Sequence, residues 1–346
     1  MKRLQTLIAF IFLLSLGLSI EPLNAQDKTT LVYSLPKTEF IIEVQTEKVT
    51  QKPGVFYKYS ERYLAYSDVL TKEKTSFRLK SISIKTRTAP DLKRTYNFVV
   101  NKGNNTIKLN VNQAGILTGI NSPTSSRESG AFQTVSFPNN DTKSATLLPL
   151  SEEFMLAGSE SKLAEGAAKQ IYRIRERRLN LLTGDVDHLP TDGSSLVSMI
   201  QGMDKMESEL TELFTGKTSI ETSTHTIVLS PAAPVNNQIL FRLSSIMGIV
   251  PNDDLSGNPF YISFVAGTIP NTPVDKKNAK TDNDGLFYII PLPCQINITD
   301  GVKTCFTGHY LVPQFGKTVP ISERLYEKAQ AKVIIDEQTG RLLGVE

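Results

Sequence analysis

The sequence predicts an α+β fold, β-dominant, in which two antiparallel β modules flank a helical αα-hairpin. Three observations predict it. Between Ser161 and Gly216 apolar residues recur at helical spacing. The first set is Leu163, Ala167, Ile171, Ile174, Leu181 and Leu182; the second is Leu196, Met199, Met203, Met206, Leu210 and Leu213. Each set forms a stripe along one helix face. On both sides of this stretch the period falls to two, the signature of half-buried strands. Finally, two short patterns recur in the same order on either side. Tyr33-Ser34-Leu35-Pro36 is matched by Tyr288-Ile289-Ile290-Pro291, and residues 108–121 by residues 332–346. Both members of the second pair read as an apolar strand, a polar turn, a glycine able to take positive φ and a short return strand.

Taken in order, the chain begins with an export signal. Lys2 and Arg3 precede an apolar run from Leu7 to Ile20, and Leu23-Asn24-Ala25 offers a small residue for cleavage. That run is too short to span a bilayer comfortably. The expected mature chain starts at Gln26 and is not transmembrane. Its first module covers residues 26–121. A strand, a break at Pro36 and a second strand fill residues 31–44. An aromatic cluster, Phe56, Tyr57, Tyr59, Tyr63 and Tyr66, reads as a mini-core under a sheet edge. Strands follow at 77–85, 96–100 and 106–111. Residues 122–150 are rich in Ser, Thr, Pro, Asn and Asp, without periodicity, and read as a linker.

The helical hairpin is placed at 151–218. Gly184 suits the position just past a helix end, and Asp192 or Ser194 suits the cap of the next helix. The second module, 219–346, has strand patterns at 227–229, 238–243, 261–265, 286–290, 295–298, 310–312 and 332–335, with a short helix at 322–331.

Charge excludes some partners. Cleavage removes Lys2, Arg3 and Glu21, so 38 basic and 35 acidic residues become 36 and 34, a net charge of +2. Such a balance gives no electrostatic case for nucleic acid. The two cysteines, Cys294 and Cys305, flank a hairpin signal at Asp300-Gly301 and are expected to form a disulfide in an oxidising compartment. A two-residue turn makes them diagonal neighbours, so bonding requires a bulge or a shifted register.

The familiar catalytic signatures are missing. His188, His225 and His309 are far apart, and no H-E-x-x-H, C-x-x-C or G-x-S-x-G occurs. Gly216-Lys217-Thr218 imitates a phosphate loop but follows a helix instead of preceding one. Asp282-Asn283-Asp284-Gly285 reads as a turn, since no glutamate completes a calcium loop. No metal or cofactor is expected.

Two clusters remain as binding candidates. Arg173 and Arg177 lie four apart on one helix face, with Asp185, Asp187 and His188 downstream. They could form an anion-binding face, but arginines pairing with the loop carboxylates to fix the hairpin's shape is the simpler reading. Tyr59 and Tyr63 could offer a stacking platform for a saccharide, although aromatic residues more commonly supply core.

Several segments together resemble a known family: YSLPKT (33–38), YLAYSDV (63–69), AAKQIYRIRERRLNLLTGDVDHLPTDG (167–193), ELFTGK (212–217) and the closing VIIDEQTGRLLGVE (333–346). The family is the domain of unknown function numbered 4831, found in exported Bacteroidetes proteins. The resemblance runs from Leu31 to Glu346. It implies an envelope address and assigns no catalytic residue. The expected function is a non-enzymatic scaffold or accessory subunit of a periplasmic or outer-membrane-associated assembly, with other envelope proteins as partners. A glycan- or peptidoglycan-fragment-binding module and a hydrolase of unfamiliar type are the alternatives.

Overall fold

The computed structural model describes residues 29–100, 107–122, 158–186, 192–268, 285–322 and 331–345. The architecture is α+β and β-dominant, with three antiparallel sheets and one helical hairpin. Strands are β1 (Thr29–Lys52), β2 (Lys74–Val100), β3 (Leu109–Val111), β4 (Leu117–Ile120), β5 (Lys217–Leu229) and β6 (Gln238–Ser244). They continue with β7 (Gly248–Val250), β8 (Asn258–Ala266), β9 (Phe287–Thr299), β10 (Thr304–Pro320), β11 (Val333–Ile335) and β12 (Leu342–Val345). The helices are a short α1 (Ser60–Leu64), entered through a 3₁₀ turn at Tyr57–Tyr59, then α2 (Glu160–Thr183) and α3 (Gly193–Thr215).

The strands are longer than periodicity alone suggests. The expected break at Pro36 does not occur, because β1 runs straight through it and sets it opposite Pro90 of β2. Proline's fixed φ is compatible with extended backbone, and here two residues without N–H groups face each other beside a register shift at Ser34/Leu35. The segments 286–290 and 295–298 likewise merge into one strand, β9, across Pro291 and Pro293.

Strand order is β2-β1-β5 in the first sheet, β10-β9-β8-β6-β7 in the second and β12-β11-β4-β3 in the third. The two β modules expected on either side of the hairpin therefore do not stay separate. The first and third sheets each combine strands from before and after the helices, whereas the second is built only of strands that follow them.

The first two sheets pack face to face. Phe40, Ile42 and Val44 of β1 meet Phe241, Phe260, Ile262, Phe264, Ile296 and Ile298 in one core. Edge-to-face contact between Phe40 and Phe264, centroids 5.2 Å apart, orders its centre. A second core lies where the N-terminal and C-terminal strands meet and holds Tyr33, Leu35, Leu117, Ile120, Leu286, Ile289 and Val333. Tyr33 is fully buried and polar. It is tolerated because its hydroxyl donates to the Gly285 carbonyl and accepts from the Phe287 N–H, both at 2.9 Å.

β1 and β9 are bordered alike. Each has a long antiparallel neighbour on one side, β2 or β10. On the other side the later part of each strand pairs with a third strand: β5 against Phe40–Lys52, and β8 against Cys294–Thr299. Earlier in each strand a backbone N–H reaches a turn glycine instead, Ser34 to Gly115 at 2.9 Å and Ile289 to Gly340 at 2.8 Å. Both glycines have positive φ, 76° and 67°.

Candidate functional site

The helical hairpin forms where capping and apolar spacing place it. Ser159 caps α2 by accepting the Lys162 N–H, and Gly184 ends it in the left-handed conformation at φ 79°. Asp192 caps α3, accepting from the Ser194 and Ser195 N–H groups. These bonds hold the Asp192 carboxyl below its ordinary range, the Ser194 hydroxyl contributing most.

Its base is fixed by packing. Ala164, Ala167, Ala168, Ile171 and Ile174 of α2 close on Leu210 and Phe214 of α3, and on Phe56 and Leu64. The small alanines let Phe56 and Leu64 approach α2 closely. Two glycines complete the joint with the sheet. A Cβ on Gly54 would meet the Leu213 carbonyl oxygen at 2.3 Å, and one on Gly216 (φ 89°) would meet the Lys52 carbonyl oxygen at 2.5 Å. The N–H of Phe56 donates to Leu213 O at 2.7 Å, and that of Leu70 to Thr215 O at 3.0 Å.

The aromatic cluster belongs to this base. It lies under the helices, where the sequence suggested a sheet edge. Tyr59 and Tyr63 are half-buried against the base core, their rings 6.1 Å apart and tilted by 31°. The Tyr63 hydroxyl bonds Ser161, and the Tyr63 carbonyl accepts from Tyr172. These contacts engage both residues in joining α1 to α2 and give no flat, open platform.

The arginines divide by helix face. Arg175 and Arg178 turn toward α3, while Arg173 and Arg177 lie on exposed surface. Arg175 Nε donates to Glu207 Oε1 at 2.5 Å and its NH2 group to the Tyr66 hydroxyl at 3.0 Å. Arg178 bonds Asp204 at 2.5 Å and Glu207 Oε2 at 2.6 Å. The bond to Glu207 raises the Arg175 guanidinium above its ordinary value, against the opposing effect of burial. Asp204 has the same effect on Arg178. A cleft of about 280 Å³ is lined by Tyr66, Arg175, Arg178, Asp204, Glu207 and Thr211. With Glu212 also in the lining, three carboxylates face two arginines, so the ion pairs tie α2 to α3 and the cleft offers no unbalanced cation to an anion. The carboxylates for Arg175 and Arg178 come from the middle of α3 and not from the interhelical loop. Asp185 is exposed beyond the end of α2; Asp187 and His188 lie outside the described residues.

Toward the interhelical loop the packing gives out. Leu179 is 60% exposed, Leu182 61%, Val197 53% and Met199 44%. The sequence placed Leu182 and Met199 on the inner stripe; only Leu181 of that neighbourhood is buried on α2. Each helix stripe continues past the point where its partner and the base can cover it. Sequence spacing defines a stripe but not its occupant.

The expected disulfide is not formed. Asp300 Oδ1 accepts from the Val302 and Lys303 N–H groups at 2.9 Å, making a four-residue loop where a two-residue turn was expected. Cys305 then falls at a register shift between Thr304 and Phe306, while Cys294 stands opposite Tyr310, and both thiols are free. Burial pushes the Cys294 thiol up to about 11, which keeps it protonated and slow to react at neutral pH. His225 and His309 are exposed on different sheets. Among the described residues no group of three His, Cys, Asp or Glu is placed to hold a metal, and no helix is long and apolar enough to cross a membrane.

Fold and site define a β-rich α+β protein with a helical hairpin packed at one end and apolar on its surface near the other. The chain belongs to the family described as domain of unknown function (DUF4831), whose model matches residues 29–343. No curated protein and no solved structure matches it.

Proposed function

We propose that this protein is an exported, non-enzymatic accessory subunit of a cell-envelope assembly, and that it binds another envelope protein through the loop-proximal half of α2 and α3. The observation that carries this reading is the exposure of Leu179, Leu182, Val197 and Met199 on a hairpin whose opposite end is fixed by a packed core. At 1.5 Å per residue a helix of 24 residues is about 36 Å long. The arm is held at one end and apolar near the other. Exposed apolar surface with polar surroundings marks sites of protein contact. Lys2, Arg3, the apolar run and Ala25 support export.

The β framework serves as the mount. We read β1–β4 and β9–β12 as two related units, each a long hairpin followed by a short one. Their support is the matched sequence patterns and the corresponding N–H to glycine bonds, Ser34 to Gly115 and Ile289 to Gly340. The segment between the units supplies the third strands β5 and β8.

The test is native affinity purification from gently solubilised envelopes, with the wild-type chain and the Leu179→Ser/Leu182→Ser/Val197→Ser/Met199→Ser variant as baits. All four positions are exposed, so the variant retains the fold. A stoichiometric envelope partner recovered by the wild type and lost by the variant is expected. Recovery of the chain alone, or equal recovery by both baits, contradicts the reading. Intact mass of the exported chain should correspond to a start at Gln26.

A further inference from the structure

The two third strands differ in what lies beyond them. The outer edge of β8 is covered by β6, antiparallel, with Gln238 and Ile239 opposite Ile262 and Tyr261. β5 holds the corresponding place beside β1, yet it ends its sheet, and among the described residues no strand lies outside it. Exposed sheet edges are ordinarily blunted by bulges, proline, inward charges or short length. β5 has thirteen residues, no proline and no register shift along its pairing with β1. Ile220 and Val228 are more than half exposed on it.

From this, resting on the reading of two related units given above, we propose that β5 pairs antiparallel with β5 of a second copy, about a two-fold axis through Ser223, giving a continuous six-stranded sheet. The sequence of β5 is self-complementary in that register. Glu221 falls opposite His225 of the other copy, twice, so that a carboxylate faces an imidazole N–H donor. Thr222 falls opposite Thr224, and Ile220 opposite Thr226, again twice. Hydroxyl pairs, opposite-polarity pairs and β-branched contacts are the cross-strand combinations that stabilise antiparallel sheets. A two-fold contact of this kind closes on itself, so it covers the edge without propagating into a fibre.

Sedimentation velocity on the purified mature chain at micromolar concentration tests this. The wild type should sediment at twice the chain mass. Thr222→Lys/Thr224→Lys places lysines opposite one another, and His225→Glu places carboxylates opposite one another; both variants should be monomeric, with unchanged circular dichroism and an unfolding midpoint that, unlike the wild type's, does not rise with protein concentration. His225→Lys keeps an opposite charge facing Glu221 of the other copy and leaves the pairing of Glu221 with Lys48 of its own chain in place, so this variant should remain dimeric. A monomeric wild type overturns the proposal, as does a dimer that tolerates the lysines or does not respond to the charge exchange. Such a failure leaves the hairpin-dependent capture of a partner unaffected, so the two readings fail separately.

Discussion

Gln314 and Thr38 join through a double hydrogen bond: the Thr38 N–H donates to Gln314 Oε1 at 3.0 Å, and Gln314 Nε2 donates to the Thr38 carbonyl at 2.8 Å. The glutamine amide stands in for a neighbouring strand just where β5 stops, since the last pairing on that side of β1 is Phe40 with Leu229. Next to it Arg94, from the irregular stretch of β2, donates to the carbonyls of Pro313 at 3.0 Å and Gln314 at 3.1 Å. The first two sheets are thus tied by polar side chains at the places where their ladders are interrupted.

Gln314→Ala should therefore destabilise the fold by about 1–3 kcal/mol, because it leaves the buried Thr38 N–H without its partner. Gln314→Glu, which keeps the acceptor and loses the donor, should fall between. Urea unfolding monitored by circular dichroism reads both. An alanine variant with an unchanged midpoint would remove this account of the junction.

The two turn glycines separate backbone strain from crowding. Gly115→Ala meets no atom within 4 Å, so its cost is that of left-handed backbone alone, about 1–2 kcal/mol. Gly340→Ala pays the same strain and also presses on the Pro36 ring at 3.0 Å and on Ile289 at 3.2 Å. The second substitution should be the more damaging in the same unfolding assay. Equal losses would mean that the Pro36 contact relaxes freely.

Acid should weaken the first sheet. The hydrogen bond from Arg87 holds the Glu39 carboxyl below its ordinary range, and the bond from Arg78 does so for Glu47. A carboxyl whose folded value is depressed contributes stability that is present above its unfolded value, about 4.3, and lost as pH falls through the folded one. The unfolding midpoint should be flat above about pH 5 and decline below about pH 4. Glu39→Gln/Glu47→Gln should shallow that decline. An identical acid profile in the variant would assign it to other groups.

Thiol chemistry checks the register of β9 and β10. Denatured, non-reduced protein should yield two labelled cysteines. In the native state Cys294, buried and with its thiol pushed up to about 11, should label slowly at neutral pH. Finding neither cysteine free on denaturation would restore the disulfide and require a different pairing between the strands.

How much of this is legible in the sequence follows from which residues carry a one-dimensional signal. Caps and stripes are local, and so Gly184, Asp192 and the αα-hairpin are legible directly. The alternation of Phe40, Ile42 and Val44 is legible for the same reason. β5 is not, beyond its last three residues, because nearly all of it is exposed and a strand wet on both faces has no alternation to read. The mixing of early and late strands in one sheet is a pairing at long separation. The contacts of Arg94 with Pro313 and of Asn112 with Glu337, more than two hundred residues apart, leave no pattern along the chain. At the site, the arginine cluster is legible, but which arginines face α3 depends on helix phase at the packed base. Arg175 and Arg178 are inward there, and Arg173 and Arg177 outward.

The proposed meeting point with the partner is the hairpin's loop-proximal half. Site-specific photo-crosslinking in native envelopes tests it most directly, with the photoreactive residue placed at Leu182, at Val197 and, as a control, at the fully exposed Val302 in the loop between β9 and β10. One discrete adduct shared by Leu182 and Val197 and absent from Val302 is expected. An adduct pattern identical at all three positions, or none at the hairpin positions while other surfaces crosslink, would contradict it.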